Sequence, residues 1–287
     1  MTFPIATPRP SLPRRLFRWA VRLLLAGAVL LGLLAGMSWY EVTHTKVAKL
    51  ELTSSKITGR ALRVLQITDL HDLQYTSQRD DLITMARTQN PDLIALTGDF
   101  VNTNTRDFGR LDTWFGQLEE LKIPMFAVPG NHDHWQGNLP GLEKMLTSHG
   151  VAVLDDRHVR LDGPWGALDV IGTDDYYTRR GRLALAMDGT RPDAYQLVLT
   201  HAPEIRRDLA ASTADLVICG HTHGGQVRIP GVGAIVAPGQ PYFPDYDKGL
   251  YEIGKSKLYI DSGVGQTAPL RLFDQSQMTL IAIRPTR

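Results

Sequence analysis

Five short polar blocks carry side chains suited to holding metals: Asp69-Leu70-His71, Gly98-Asp99, Gly130-Asn131-His132-Asp133, Thr200-His201 and Gly220-His221-Thr222-His223. Asp, Asn and His together make a mixed oxygen and nitrogen donor set. Such a set suits borderline divalent ions such as Mn, Fe, Zn or Co better than Ca. Asp69, His71, Asp99, Asn131, His201, His221 and His223 supply seven donors, more than one ion needs and enough for two if one carboxylate bridges. Two ions about 3.5–4 Å apart hold both the attacking and the leaving oxygen of an in-line phosphoryl displacement. Residues 69 and 71 share a face while the chain stays extended, which would turn both side chains toward one ion. His221 and His223 have the same spacing, although a loop there would split them between two ions. The single Cys219 lies outside the set, which argues against a structural zinc knot, and it reads as a small buried apolar residue.

Each block follows a short run rich in Val, Ile and Leu: Leu62 to Ile67, Leu93 to Leu96, Met125 to Val128, Leu197 to Leu199 and Leu216 to Cys219. Bounded by Gly, Pro and Asp, these runs predict buried strands. The donors then arrive together at the carboxyl ends of strands, where open α/β sheets bind ligands. Helices are expected over residues 78–89, 108–121, 139–149 and 178–187, with Leu111, Phe115, Leu118 and Leu121 forming a core stripe in the second. An edge strand is expected at Val47 to Leu52. Short apolar runs from Gln226 to Arg284 read as antiparallel strands and turns.

The 287 residues, 43% of them hydrophobic, are enough for one sizeable α/β domain with an appendage. Lys and Arg number 31 against 30 Asp and Glu, so no basic field points to nucleic acid. Residues 1–18 read as a basic disordered tail, with Arg9, Arg14, Arg15 and Arg18 among four prolines. Residues 19–40 read as a transmembrane anchor or an uncleaved export signal. Leu23 to Tyr40 is an uncharged stretch near the lower length limit for a span, with Trp19, Trp39 and Tyr40 at the interfaces. The preceding arginines favour a cytoplasmic N-terminus and an extracytoplasmic catalytic domain on a single-pass cell-membrane protein, and Arg14-Arg15-Leu16-Phe17 resembles a twin-arginine export signal. Residues 41–60 form a connector and edge strand, and 61–287 the catalytic domain.

The order Asp-x-His, Gly-Asp, Gly-Asn-His-Asp, His, Gly-His-Thr-His resembles the calcineurin-like metallophosphoesterase superfamily, from about Leu62 to about Arg284. The extended run from Gly220 to Pro230 and the N-terminal apolar segment resemble a bacterial membrane-associated or twin-arginine-exported branch. Some relatives of that branch cleave the pyrophosphate of UDP-2,3-diacylglucosamine. The resemblance implies a four-layer αββα sandwich and two divalent ions. It would place Asp69, His71 and His223 on the first ion, Asp99 as the bridge, and Asn131, His201 and His221 on the second. A bridging water would be the nucleophile. His132 would face the phosphate to stabilise charge or protonate the leaving oxygen, and Asp133 would fix the His132 ring.

The expected activity is hydrolysis of a phosphodiester or pyrophosphate, in a small molecule or a lipid-linked substrate. The alternatives are a nucleotide phosphodiesterase or phosphomonoesterase merely localised by its anchor, or a metal-binding scaffold without turnover. A scaffold would not need a non-ligand His132 facing the ions. Asp174 and Asp175 read equally as support for the site or as a solvated turn. Arg179, Arg180 and Arg182 read as a solvated face, and His149 and His158 as surface or structural residues. Arg271 is a weaker candidate for phosphate contact, and Pro241-Tyr242-Phe243-Pro244 is an apolar loop suited to a substrate pocket or to lipid.

Overall fold

The computed structural model describes residues 12–75 and 79–286. A long helix, α1 (Leu12–Thr43), leads into β1 (Lys46–Ser54), β2 (Leu62–Ile67) and α2 (Arg79–Gln89). Next come β3 (Leu93–Thr97), α3 (Gly109–Glu119), β4 (Met125–Val128), the short α4 (Asn131–Trp135), α5 (Leu139–Ser148) and β5 (Val151–Val153). The second half runs β6 (Arg157–Gly163), β7 (Gly166–Gly172), α6 (Leu183–Ala186), β8 (Tyr195–Leu199), α7 (Arg206–Leu209) and β9 (Leu216–Cys219). It closes with the small pair β10 (Arg228–Ile229) and β11 (Gly233–Ala234), then β12 (Gly249–Ile253), β13 (Ser256–Ile260) and β14 (Gln277–Pro285).

The strands form two six-stranded sheets, in the orders β1-β14-β2-β3-β4-β5 and β12-β13-β9-β8-β7-β6. Alternation along each strand explains how they stack, because successive side chains point to opposite faces. Leu62 and Val64 of β2, Leu93 and Ala95 of β3, and Phe126 and Val128 of β4 pack against Leu197, Leu199, Leu216 and Ile218 of the other sheet. The intervening Leu65, Ile67, Ile94, Leu96, Met125 and Ala127 face α2, α3 and α5. Val198, Val217 and Cys219 face α6 and α7. Strands buried on both faces must read as near-continuous apolar runs, as these do. The result is the expected αββα sandwich. Gln66 ties the two sheets together, donating to Thr97 Oγ1 at 3.0 Å and to the Cys219 carbonyl at 2.9 Å.

Several local expectations are corrected. The first helix begins at Leu12 and runs to Thr43, so residues 12–18 are helical and not tail; residues 1–11 lie outside the described residues. The helix expected over 178–187 shrinks to Leu183–Ala186, because Arg179 takes a left-handed φ of 63° and the preceding turn folds around Asp175. The C-terminal strands are not simply antiparallel. β13 joins β9 in parallel, and β14 inserts between β1 and β2, parallel to the first and antiparallel to the second. Pairings so distant in sequence leave no local signature.

Arg271 is also corrected. It is fully buried and faces no cleft. Its guanidinium donates to Gln266 Oε1 (2.9 Å), to Asp274, and to the carbonyls of Ser262 (2.9 Å), Gly263 (3.3 Å) and Gly265 (2.9 Å). Five fixed donors in a planar fork let one side chain gather that many acceptors. Removing it leaves several carbonyls without a donor in the interior and Asp274 with Lys248 as its remaining cation. Arg271→Ala is expected to cost about 3–5 kcal/mol of unfolding free energy, read as a lower urea midpoint; an unchanged midpoint would refute the clamp.

Candidate metal centre

The donors meet where the two sheets share an edge. β2, β3 and β4 end at Asp69, Asp99 and Asn131 in one sheet, and β8 and β9 end at His201 and His221 in the other. The backbone turns abruptly at these exits. Asp69, His71, Asp99, His221 and His223 all have left-handed φ values, of 55°, 44°, 53°, 71° and 49°. Non-glycine residues hold such a conformation at a cost on the order of 1–3 kcal/mol each, so the surroundings must enforce it. The expected cause of Asp69 and His71 converging, an extended Asp-x-His, is therefore wrong. A left-handed curl brings them together, and His71 opens a 3-10 turn.

Glycine makes room for the curl. Gly98 has φ 84°, and a Cβ there would lie 2.7 Å from Gly130 N and 2.8 Å from His201 Nδ1. Gly263 packs so closely on Asp69 that a Cβ would meet the Asp69 Cβ at 2.7 Å. Asp133 does the remaining enforcement. Its buried carboxylate accepts the amides of Asp99 (2.9 Å), Phe100 (2.9 Å), Val101 (3.2 Å) and Gly130 (2.8 Å). It therefore braces the Asp99 loop and does not fix His132, whose Nδ1 lies 3.1 Å from Thr103 Oγ1.

Two buried groups result: Asp69, His71 and His223, and Asp99, His201 and His221. His71 Nε2 and His223 Nε2 are 3.2 Å apart, with Asp69 Oδ1 at 3.9 Å and 3.6 Å from them. In the second group His201 Nδ1 donates to the Thr97 carbonyl at 2.8 Å. A neutral His201 then offers only a lone pair at Nε2, which faces Asp99 Oδ2 at 3.2 Å and His221 Nδ1 at 3.2 Å. Asp99 Oδ2 also lies 3.7 Å from His71 Nε2, so one carboxylate oxygen faces both groups. His221 and His223 are thus split, one to each group. Asn131 lines the same cleft, and its buried Oδ1 has no hydrogen-bond partner among the described residues. Lone pairs crowded together away from water, with too few protons between them, fit cations and little else.

The ionisation behaviour has the same origin. Burial, reinforced by the Asp99 charge, raises the Asp69 carboxyl to about 7. Burial lowers His71 to about 4 and His221 to about 3, and lowers His223 as well. Burial would also lower His201, but the charge and hydrogen bond of Asp99 raise it well above its usual value. In the metal-free chain a proton on His201 thus fills the place facing Asp99.

The cleft over the groups measures about 420 Å³. His132 reaches into it, its ring edge-on to His71 at 5.0 Å, and burial lowers its pKa. Trp135 and Tyr177 form an aromatic wall that sequence reasoning missed. Trp135 lies 5.2 Å from the His132 ring, and Tyr177 lies 4.4 Å from the His221 ring. Trp135 follows the Gly-Asn-His-Asp block closely enough to have been suspected, whereas nothing in the sequence pairs Tyr177 with His221. Neither Asp174 nor Asp175 forms a solvated turn. Asp174 lies 2.6 Å from His134, and buried Asp175 caps the turn at Tyr177 and Thr178. His149 bridges to Asp112 and Glu119 on α3, a surface role.

Paired His–carboxylate groups at the strand ends of an αββα sandwich define the class of metal-dependent phosphoester hydrolases. Residues 62–225 match the calcineurin-like phosphoesterase family, more than half of the chain, and the protein belongs to that family. It is similar to the metallophosphoesterase YkoQ of Bacillus subtilis, 33% identical over 72% of this chain and 78% of that protein. It is also similar to the phosphodiesterase YaeI of Escherichia coli, 30% identical over 85% of this chain and 88% of that one. A Danio rerio transmembrane protein with a metallophosphoesterase domain is 26% identical over 83% of this chain and 57% of its own length. The solved NAD nucleotidase of Haemophilus influenzae shares the fold at a TM-score of 0.50 and 14% identity, over 72% of this chain and 46% of that one.

An ion entering the first group must displace the Asp69 proton whenever that carboxyl is protonated. Affinity for Mn is therefore expected to fall by about tenfold per pH unit below about 7 for each proton displaced, as measured by titration calorimetry between pH 8 and pH 5.5. Flat affinity over that range would contradict the buried, protonated Asp69. Asp133→Ala, which frees the Asp99 loop, is expected to lower metal content at fixed pH.

Proposed function

We propose that this chain is a membrane-anchored phosphoesterase with two divalent ions, acting on a phosphodiester or pyrophosphate in a lipid-linked substrate. Asp69, His71 and His223 would hold the first ion and Asn131, His201 and His221 the second, with Asp99 between them. The observation that carries this reading is the single Asp99 oxygen facing both donor groups. The donors are oxygen and nitrogen without sulfur, which favours Mn, Fe, Zn or Co. When bound, the ions supply Lewis acidity, lowering the pKa of a water and offsetting phosphate charge.

The rest falls to the chain's own residues. In the metal-free chain burial would raise the Asp99 pKa, but the charge and hydrogen bond of His201, together with His71 and His132, lower it; with His201 neutral as a ligand, the cations would take over that role. The Asp99–His132 pairing is fixed by the His132 amide, which donates to Asp99 Oδ1 at 2.8 Å. That bond aims the His132 ring over the cleft, where it can give a proton to the leaving oxygen. Thr103 steadies the other ring nitrogen. Trp135 and Tyr177 offer an apolar face to the group attached to phosphate.

The lipid reading is supported by Tyr242 and Phe243, which stand 77% and 59% exposed on the loop past the ligand groups. Among the described residues α1 is the one helix long and apolar enough to cross a membrane, which supports residues 19–40 as the anchor of the 61–287 domain. The arginines ahead of it support a cytoplasmic N-terminus and an outward-facing domain. The Arg14-Arg15 pair supports twin-arginine export, and the branch resemblance supports a UDP-2,3-diacylglucosamine-like pyrophosphate.

The test uses the full chain in detergent micelles, stripped of metal and resupplied with Mn. Hydrolysis of bis(p-nitrophenyl) phosphate is expected to exceed that of p-nitrophenyl phosphate. His132→Ala should lower kcat by about 10²–10⁴-fold while leaving two ions bound, and Asp99→Asn should lower both activity and metal content. Faster monoester hydrolysis would overturn the diester assignment. Full activity in His132→Ala would remove that residue from catalysis.

A further inference from the structure

The end of α1 is docked onto the domain. Ser38 and Val42 are buried, Ser38 Oγ accepts the Arg271 amide at 3.2 Å, and Glu41 Oε2 accepts the Asp274 amide at 3.1 Å. The Glu41 carbonyl accepts the Ser276 amide at 2.9 Å. The segment held in this way, 263–276, also walls the first donor group. Gly263 packs on Asp69, and the Gly265 amide donates to the Asp69 carbonyl at 2.6 Å.

Between the helix and this segment runs a groove of about 590 Å³, lined by Leu31, Leu34, Ala35 and Trp39 of α1 and by Tyr75 and Leu270 of the domain. That volume is within the roughly 300–1,000 Å³ of small-molecule sites. One end lies beside Leu31 and Leu34, well inside the apolar stretch of α1, where Leu30, Leu31 and Leu33 are 57–69% exposed. The domain side of the groove is formed by Tyr75 and Leu270. Tyr75 follows closely on His71, and Leu270 on Thr267, which lines the metal cleft. The same segment, 263–276, therefore lines the cleft through Thr267 and the groove through Leu270. Trp39 and Tyr75 are amphipathic rings of the kind found at membrane–water interfaces.

We propose that this groove binds an acyl chain of a bilayer phospholipid, with the phosphate end directed toward the cleft. The proposal rests on α1 being a membrane anchor and extends the lipid reading to a defined chain-binding site. The wall formed by Leu31 and Leu34 is continuous with a helix surface that only hydrocarbon solvates favourably. A non-helical peptide reaching the same depth would carry unpaired amides into the bilayer, whereas an acyl chain carries none. The groove lets a lipid present its phosphate without leaving the membrane.

The experiment reads binding and not turnover. Full-length protein in detergent micelles is mixed with dioleoylphosphatidylglycerol and released in a native mass spectrometer. Ala35→Trp fills the groove; Leu24→Trp adds the same bulk to the exposed helix away from the domain. Wild type and Leu24→Trp are expected to retain a phospholipid, and Ala35→Trp to retain about tenfold less. Leu270→Arg, which puts a charge in the groove from the domain side, is expected to show the same loss should Ala35→Trp fail to fold. Equal retention by wild type and both groove variants, or no retention by wild type, would overturn the proposal. Loss of diester hydrolysis would instead strike the phosphoesterase reading, because no hydrolysis is measured here.

Discussion

The structure depends on a crowd of lone pairs that cannot satisfy one another. Asp99, Asp69 and four imidazoles are packed together with little exposed surface, and His201 spends its one neutral-state N–H on the Thr97 carbonyl. Such a set is unfavourable for a protein alone and favourable once cations enter. The site is therefore built to be incomplete without metal. Its protonation chemistry, with Asp69 raised and His71 and His221 lowered, is the trace of that incompleteness.

Holding this arrangement requires strain at the strand exits and a frame to contain it. Five of the donors adopt left-handed backbone conformations that ordinary loops avoid. Asp133 contains the strain on one side by gathering four amides around the Asp99 loop. On the other side Arg271 gathers the carbonyls of Ser262, Gly263 and Gly265, so that Gly263 can press against Asp69. Both residues are buried, and neither lines the cleft. Their work is geometric: they fix where the donors point.

The same frame joins the catalytic edge to α1. The amides of Arg271 and Asp274 bond to Ser38 and Glu41, so the last turns of the helix and the wall of the first donor group form one hydrogen-bonded unit. A helix attached through a flexible linker would leave the cleft free to face any direction relative to it. Here the helix axis and the cleft have a fixed relation.

The sequence by itself showed the candidate donors and the strand exits that carry them, and the resemblance those blocks carry implied the αββα layering. The candidate donors and strand exits are written locally: in residue type, in the apolar runs of the buried strands, and in the glycines at the turns. It could not show that β14 inserts between β1 and β2, because that pairing joins residues more than two hundred positions apart. Nor could it show that a left-handed curl, and not an extended Asp-x-His, joins Asp69 to His71, since many conformations put two side chains on one ion. Asp133 and Arg271 were legible as polar residues near the site. Their partners were not, because burial and hydrogen bonding are decided by which segments the tertiary fold brings alongside. Tyr177 over His221, and the groove beside α1, likewise exist only where distant segments meet. Chemistry is carried by residue type and can be read along the chain; orientation depends on packing, which only the folded chain supplies.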